Sequence, residues 1–176
     1  MSSSATTALH YDRTTIFLHW AVVILVALLW GIAQVIDLFP RGPLRVDARS
    51  LHIMLGLALA GVMVVRIVWR TGNGRVLPPA GQGVMQTAAR AIHHALYVIV
   101  CGEVMLGMTF AWVRGDSIFG WFSLPGYPPL REIIGDLHEI GANLILITVG
   151  AHAAAALLHH FVIRDGVLLR MIPPKA

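Results

Sequence analysis

Four histidines lie inside the apolar stretches of this chain: His19, His52, His138 and His152. An ionisable side chain within a membrane span is costly and marks a functional site by default. On a helix, the step from His138 to His152 covers about 21 Å and leaves both side chains on nearly one face. That face therefore offers a ligand at each of two depths. His19 and His52 stand near opposite ends of their own apolar stretches, so each depth gains a second imidazole. The pairs are His19 with His152 and His52 with His138, since the opposite pairing would separate partners by most of a membrane. Two imidazoles per level suit a haem iron with both axial positions filled. No position is then left open for dioxygen, and the iron is fitted to electron transfer. Taken singly, any of these histidines could instead bond a backbone carbonyl or a hydroxyl. For the set, a proton-relay transporter is the main competitor. It would more often bring carboxylates into mid-membrane, where this chain offers only Glu103.

Such ligands need elements to hold them, and the composition says which. Of 176 residues, 57% are hydrophobic and 12% charged; soluble domains carry about 25% charged residues. A chain this short cannot hide so much apolar surface from water, so its solvent is lipid. Four apolar runs, near 15–36, 50–69, 91–113 and 133–162, are each long enough to cross about 30 Å of hydrocarbon as a helix. An isolated strand could not satisfy its backbone there. The expected fold is all-α: an integral membrane four-helix bundle, one domain over 1–176, with two haems between the helices. Proline and glycine punctuate the connections at Phe39-Pro40-Arg41-Gly42-Pro43, at Thr71-Gly72-Asn73-Gly74 with Pro78, Pro79 and Gly81, and at Pro125-Gly126-Tyr127-Pro128-Pro129. The single cysteine, Cys101, excludes an internal disulfide and a Cys-x-x-Cys-His attachment, so any haem is held non-covalently. Residues 1–12 are polar and lack the apolar core of a secretory signal.

Lysine and arginine near the span ends set the direction. One side holds Arg13, Arg66, Arg70, Arg75, Arg90, Arg164, Arg170 and Lys175; the other holds Arg41, Arg45, Arg49, Arg114 and Arg131. The bias places both termini in the cytoplasm. Gly56, Gly141 and Gly150 flank the proposed ligands, where a macrocycle or a neighbouring helix can approach the backbone. Trp30, Trp112, Trp121 and Phe122 fall near the outer boundary as an aromatic belt. His93 and His94 are expected to open the third helix as interfacial or packing residues. Glu103, near the middle of that helix, is left open between a neutral acid, a partner of a haem-facing group and a proton carrier.

The residues also carry a resemblance. Leu18-His19-Trp20, Leu51-His52-Ile53-Met54-Leu55-Gly56, Val65-Arg66-Ile67-Val68-Trp69-Arg70, Phe119-Gly120-Trp121-Phe122-Ser123-Leu124-Pro125, Leu137-His138-Glu139, Ala151-His152 through His159-His160 and the 165–173 ending follow one another as in the bacterial cytochrome b561 family. By order and spacing the chain resembles that family over nearly its whole length. The resemblance implies a membrane protein of the bacterial inner membrane with two b haems, whose ligand positions match His19, His52, His138 and His152. One member type takes electrons from superoxide at the outer face and passes them to ubiquinone. A histidine just beyond the inner ligand of the fourth helix helps form its quinone site, and the matching position is His159.

That activity is physically consistent with the sequence. Superoxide is an anion, and Arg41, Arg45 and Arg49, with Arg114 and Arg131, can form a positive collar that steers it to the outer haem. The alternative is that these arginines hold lipid head groups or haem propionates. On the inner side His159 or His160 can bond a quinone carbonyl and deliver a proton, while Arg66, Arg70 and Arg164 lie at the depth of propionates. The first functional expectation is a superoxide:quinone oxidoreductase. The second is a non-catalytic relay subunit between a partner dehydrogenase and the quinone pool, with 114–131 as the docking loop. A partner protein is not required, and nothing points to nucleic acid.

Overall fold

The computed structural model describes residues 10–79 and 82–173. The polar stretch 1–9, Gly81 and Lys175 lie outside the described residues. Four long helices carry the structure: α1 (Arg13–Ile36), α2 (Pro43–Gly72), α3 (Gly83–Arg114) and α4 (Arg131–Leu158). Each is long and apolar enough to cross a membrane, and the protein is a multi-pass, all-α membrane protein. Asp12 starts α1 by accepting the Thr15 amide at 2.9 Å and the Thr15 hydroxyl at 2.7 Å, which satisfies an otherwise orphaned helix donor.

Two helices begin earlier than apolar runs alone indicate. α2 starts at Pro43, whose fixed φ suits the first helical position. Its first two turns carry Arg45, Asp47 and Arg49, so they are helical without being uniformly apolar. α3 starts at Gly83 and passes through Gln86, Thr87 and Arg90 before the apolar run. His93 and His94 therefore lie well inside α3 and do not open it, which corrects that expectation. α4 follows a 3-10 turn at Pro128–Leu130 and ends in a π turn, His159–Ile163. Arg164 closes it in the left-handed region at φ 59°.

The helices form two hairpins, α1 with α2 and α3 with α4, joined along α2 and α3. The core, Leu59, Met63, Val100 and Ile145, sits at mid-depth. Ile145 lies midway along α4 between His138 and His152, so this apolar layer separates the two histidine levels.

Each end of the bundle is closed by polar contacts. At the end of the bundle opposite the described termini (the outer end; the other is the inner), a small hairpin, β1 (Ser117–Ile118) with β2 (Phe122–Ser123), is pinned to α2. The fully buried Ser50 hydroxyl accepts the Phe119 amide at 2.8 Å and lies 3.1 Å from the Ser117 carbonyl. The buried Asp116 carboxylate is held by Arg114 at 2.6 Å and faces Arg49 at 3.6 Å. On the inner side Asp12 also accepts the Trp69 indole N–H at 2.9 Å and the Arg75 amide at 3.0 Å. Burial pushes the Asp12 carboxyl up, but the hydrogen bonds from Thr15, Arg75 and Trp69 outweigh it and hold the group well below the usual carboxylate range. The Tyr11 amide donates to Arg170 O at 3.0 Å and the Trp20 indole to Met171 O at 2.9 Å. The two ends of the described chain thus meet on one face.

Candidate functional site

The four histidines come together as two pairs at two levels. The His19 and His152 ring centres are 6.3 Å apart with planes at 73°, and those of His52 and His138 are 6.3 Å apart with planes at 87°. A metal–imidazole bond of about 2 Å on each side, plus about 1.15 Å from each nitrogen to its ring centre, sets the centres about 6.3 Å apart across one metal ion. Both pairs have that spacing. Among the described residues no group of three or more His, Cys, Asp or Glu side chains is arranged to hold a bare ion. Two ligands per level suit a metal whose other positions come from a macrocycle.

The outer pair opens on a cavity of about 920 Å³ between the helices, lined by His52, His138, Gly56, Leu59, Glu103 and Phe110 among others. Apolar side chains such as Val26, Leu29, Ile53, Leu59, Val104 and Leu146 line it beside the two imidazoles, together with charged residues that include Arg49, Arg131 and Glu132, a mixture that suits a flat, largely apolar cofactor with charged edges. A Cβ on Gly56 would meet nothing within 4 Å, so this glycine leaves open space beside the ligand. Gly107 has another role: a Cβ there would stand 2.9 Å from Cε1 of His138, so with any other residue at this position the ring or α3 must shift. Gly141 makes room for the Glu103 side chain rather than for a macrocycle. Several buried polar atoms lack a hydrogen-bond partner, including Nε of Arg49, one Nη of Arg66 and both carboxylate oxygens of Glu103. The two orphaned arginine nitrogens fit a site that holds an anionic group, since buried polar groups are normally satisfied.

Behind each pair the surroundings differ. Nδ1 of His138 lies 2.8 Å from Oε1 of Glu103. The pair is in contact without the alignment of a hydrogen bond, and neither group has another partner. At the inner level one Nη of Arg66 lies 3.4 Å from Nδ1 of His19, and its Nε donates to the Tyr97 hydroxyl at 3.0 Å. His93 stacks edge-on to His152 with centres 5.2 Å apart. Sequence reasoning did not place His93 there, because its depth follows from the early start of α3. Arg70 turns to the surface, over the Tyr11 ring at 5.0 Å and to the Arg75 carbonyl at 2.8 Å.

The outer arginines line a second cleft of about 550 Å³ with Asp37 and Phe110. Arg45 pairs with Asp37 at 3.4 Å and also donates to the Phe39 carbonyl. Arg49 faces Asp116. Arg41 and Arg131 line the same cleft, and neither forms an ion pair among the described residues. On the inner side His159 sits at the start of the π turn, with Nδ1 2.5 Å from Oδ2 of Asp165. Burial raises the Asp165 carboxyl, but the His159 ring and the Val167 amide outweigh it and hold the group below its usual range.

Comparison with known proteins bears on the family of the chain. The sequence profile described as prokaryotic cytochrome b561 matches residues 10–174. Cytochrome b561 homolog 1 of Escherichia coli (strain K12) is 30% identical over 94% of this chain and 98% of its own length. A protein named "Probable superoxide oxidase CybB" of Yersinia pestis is 27% identical over 94% of this chain and 97% of its own length. Cytochrome b562 of Cereibacter sphaeroides is 29% identical over 94% and 96%.

Proposed function

The chain belongs to the prokaryotic cytochrome b561 family, membrane b-type cytochromes of electron transfer, and we propose on that premise that it carries electrons from superoxide at its outer face to ubiquinone at its inner face. Two b haems would be held, one by His52 and His138 and one by His19 and His152. The observation that carries the reading is the equal 6.3 Å spacing of the two imidazole pairs. When bound, the haems would supply one-electron transfer between the faces.

The protein's own residues do the rest. Arg41 and Arg131 raise the local concentration of the superoxide anion at the outer cleft, by attraction that salt screens. Arg49 and Arg66, each with a buried nitrogen in need of an acceptor, are placed to hold propionates. Phe110 and apolar side chains of the helices line the space beside the outer ligands. His159, oriented by Asp165, donates a hydrogen bond to a quinone carbonyl and delivers a proton as it is reduced. The balance is two superoxide anions, one quinone and two protons giving two dioxygen molecules and one quinol. Both termini face the cytoplasm of the bacterial inner membrane, so those protons come from inside.

The name of the Yersinia pestis relative supports the superoxide reading. One feature favours a relay subunit instead. The outer hairpin carries Trp121 at 94% exposure beside the exposed Phe119 and Phe122, a surface on which a partner dehydrogenase could dock. Purified holoprotein given superoxide and a soluble quinone separates the two. Rapid quinone reduction without a partner, lost in His159→Ala at unchanged haem content, is the expected result. Haem that superoxide leaves oxidised would reject the oxidase reading and favour the relay.

A further inference from the structure

The two ligand pairs have the same spacing but opposite charges behind them. At the outer level the Glu103 carboxylate faces Nδ1 of His138 at 2.8 Å, and both its oxygens are buried and otherwise unpartnered. Gly141 leaves the space that lets this side chain lie there. At the inner level the group nearest Nδ1 of His19 is the Arg66 guanidinium, and the neighbour of His152 is another imidazole, His93. Neither of the inner ligands, His19 or His152, pairs with a carboxylate among the described residues.

We propose that Glu103 is a positioning and tuning residue for the outer haem, which it makes the lower-potential one, so that electrons run downhill from the outer face to the inner. This rests on the haem assignment of the preceding subsection. A ligand that binds iron through Nε2 must carry its proton on Nδ1, and Glu103 is the acceptor waiting there. Such a carboxylate fixes the ring's orientation and makes the imidazole a stronger donor. Stronger donation and nearby negative charge favour ferric over ferrous iron and lower the potential. The cations that share the outer cavity do not reverse this. Arg49 and Arg114 share the buried Asp116 carboxylate, and with Arg131 they stand against the carboxylates Asp37, Glu132, Asp136 and Glu139 that line the same cavity, so its anions outnumber its cations. Inside, Arg66 acts with the opposite sign on His19.

The test is an anaerobic redox titration of the purified holoprotein, followed at the b-haem absorption bands, for the unaltered chain and Glu103→Gln. Loss of one component in His52→Ala identifies the outer haem. The outer haem is expected to be the lower-potential component, and Glu103→Gln to raise it by about tenfold in its one-electron equilibrium, ~59 mV, with the inner component unmoved. If Glu103→Gln loses haem, Glu103→Asp, which withdraws the carboxylate by one methylene, is expected to raise the same component by less. An outer haem of higher potential than the inner, or a shift shared equally by both, would overturn the proposal while leaving the ligand assignment standing. An unaltered protein that binds fewer than two haems would instead sink the assignment, and the ordering with it.

Discussion

The outer and inner histidine pairs agree in spacing and differ in nearly everything around it. Both hold their rings 6.3 Å apart. The outer ring of His138 leans on a carboxylate and passes a glycine of α3 at close range, above a large cavity. The inner pair is crowded by a guanidinium and a third imidazole. Ligand geometry is thus common to the two sites, and the charge behind the ligands is what can make them unequal. On the proposal above, that inequality is what sets the direction of electron flow.

The most forceful way to break the comparison is to remove one pair at a time. His138→Ala is expected to halve the haem content and leave the inner haem's spectrum in place, and His152→Ala to do the converse. Haem-to-protein ratio and reduced-minus-oxidised spectra of each variant decide this; loss of all haem from either would show one shared site. Gly107→Ala sharpens the contrast more gently. The added methyl must displace the His138 ring, at a cost of about 1–3 kcal/mol for overpacking. The outer haem's band should broaden or fade while the inner one holds. A spectrum equal to that of the unaltered protein would show that the ring has room to move.

The smallest effect concerns the inner cap. Asp12→Asn weakens a helix cap and three further hydrogen bonds, and a cap is worth about 1 kcal/mol. Because the folded protein holds the Asp12 carboxyl below its ordinary 3.8, its contribution is complete above that value and drains away as pH falls toward the folded one. Thermal unfolding in detergent should therefore distinguish Asp12→Asn from the unaltered chain at pH 6, and the gap should shrink below about pH 4. A gap that stays constant down to pH 2 would remove Asp12 from the account.

Much of this was legible in the residues. The four spans, the family and the depth pairing follow from apolar runs, from helical rise and from the quoted motifs. The starts of α2 and α3 were not, because Arg45, Asp47 and Arg49 in one and Gln86 and Arg90 in the other make helical turns that hydropathy does not count. That shift is what carried His93 from the helix entrance to the side of His152. The contact of Glu103 with His138, the close approach at Gly107 and the His159–Asp165 pair depend on how α3 and α4 pack and on the π turn. Apolar periodicity carries no trace of either. Gly141 shows the limit well: its place after His138 suggested room for a macrocycle, and the room is taken by a carboxylate.

The central claim is that this one chain holds two haems, each between two imidazoles. The most direct measurement is the haem-to-chain ratio of purified, haem-supplied protein, read with its reduced spectrum before and after carbon monoxide. Two b haems per chain, neither changed by carbon monoxide, is the predicted result, since every axial position is filled. A ratio of one, or a haem that binds carbon monoxide, would contradict it.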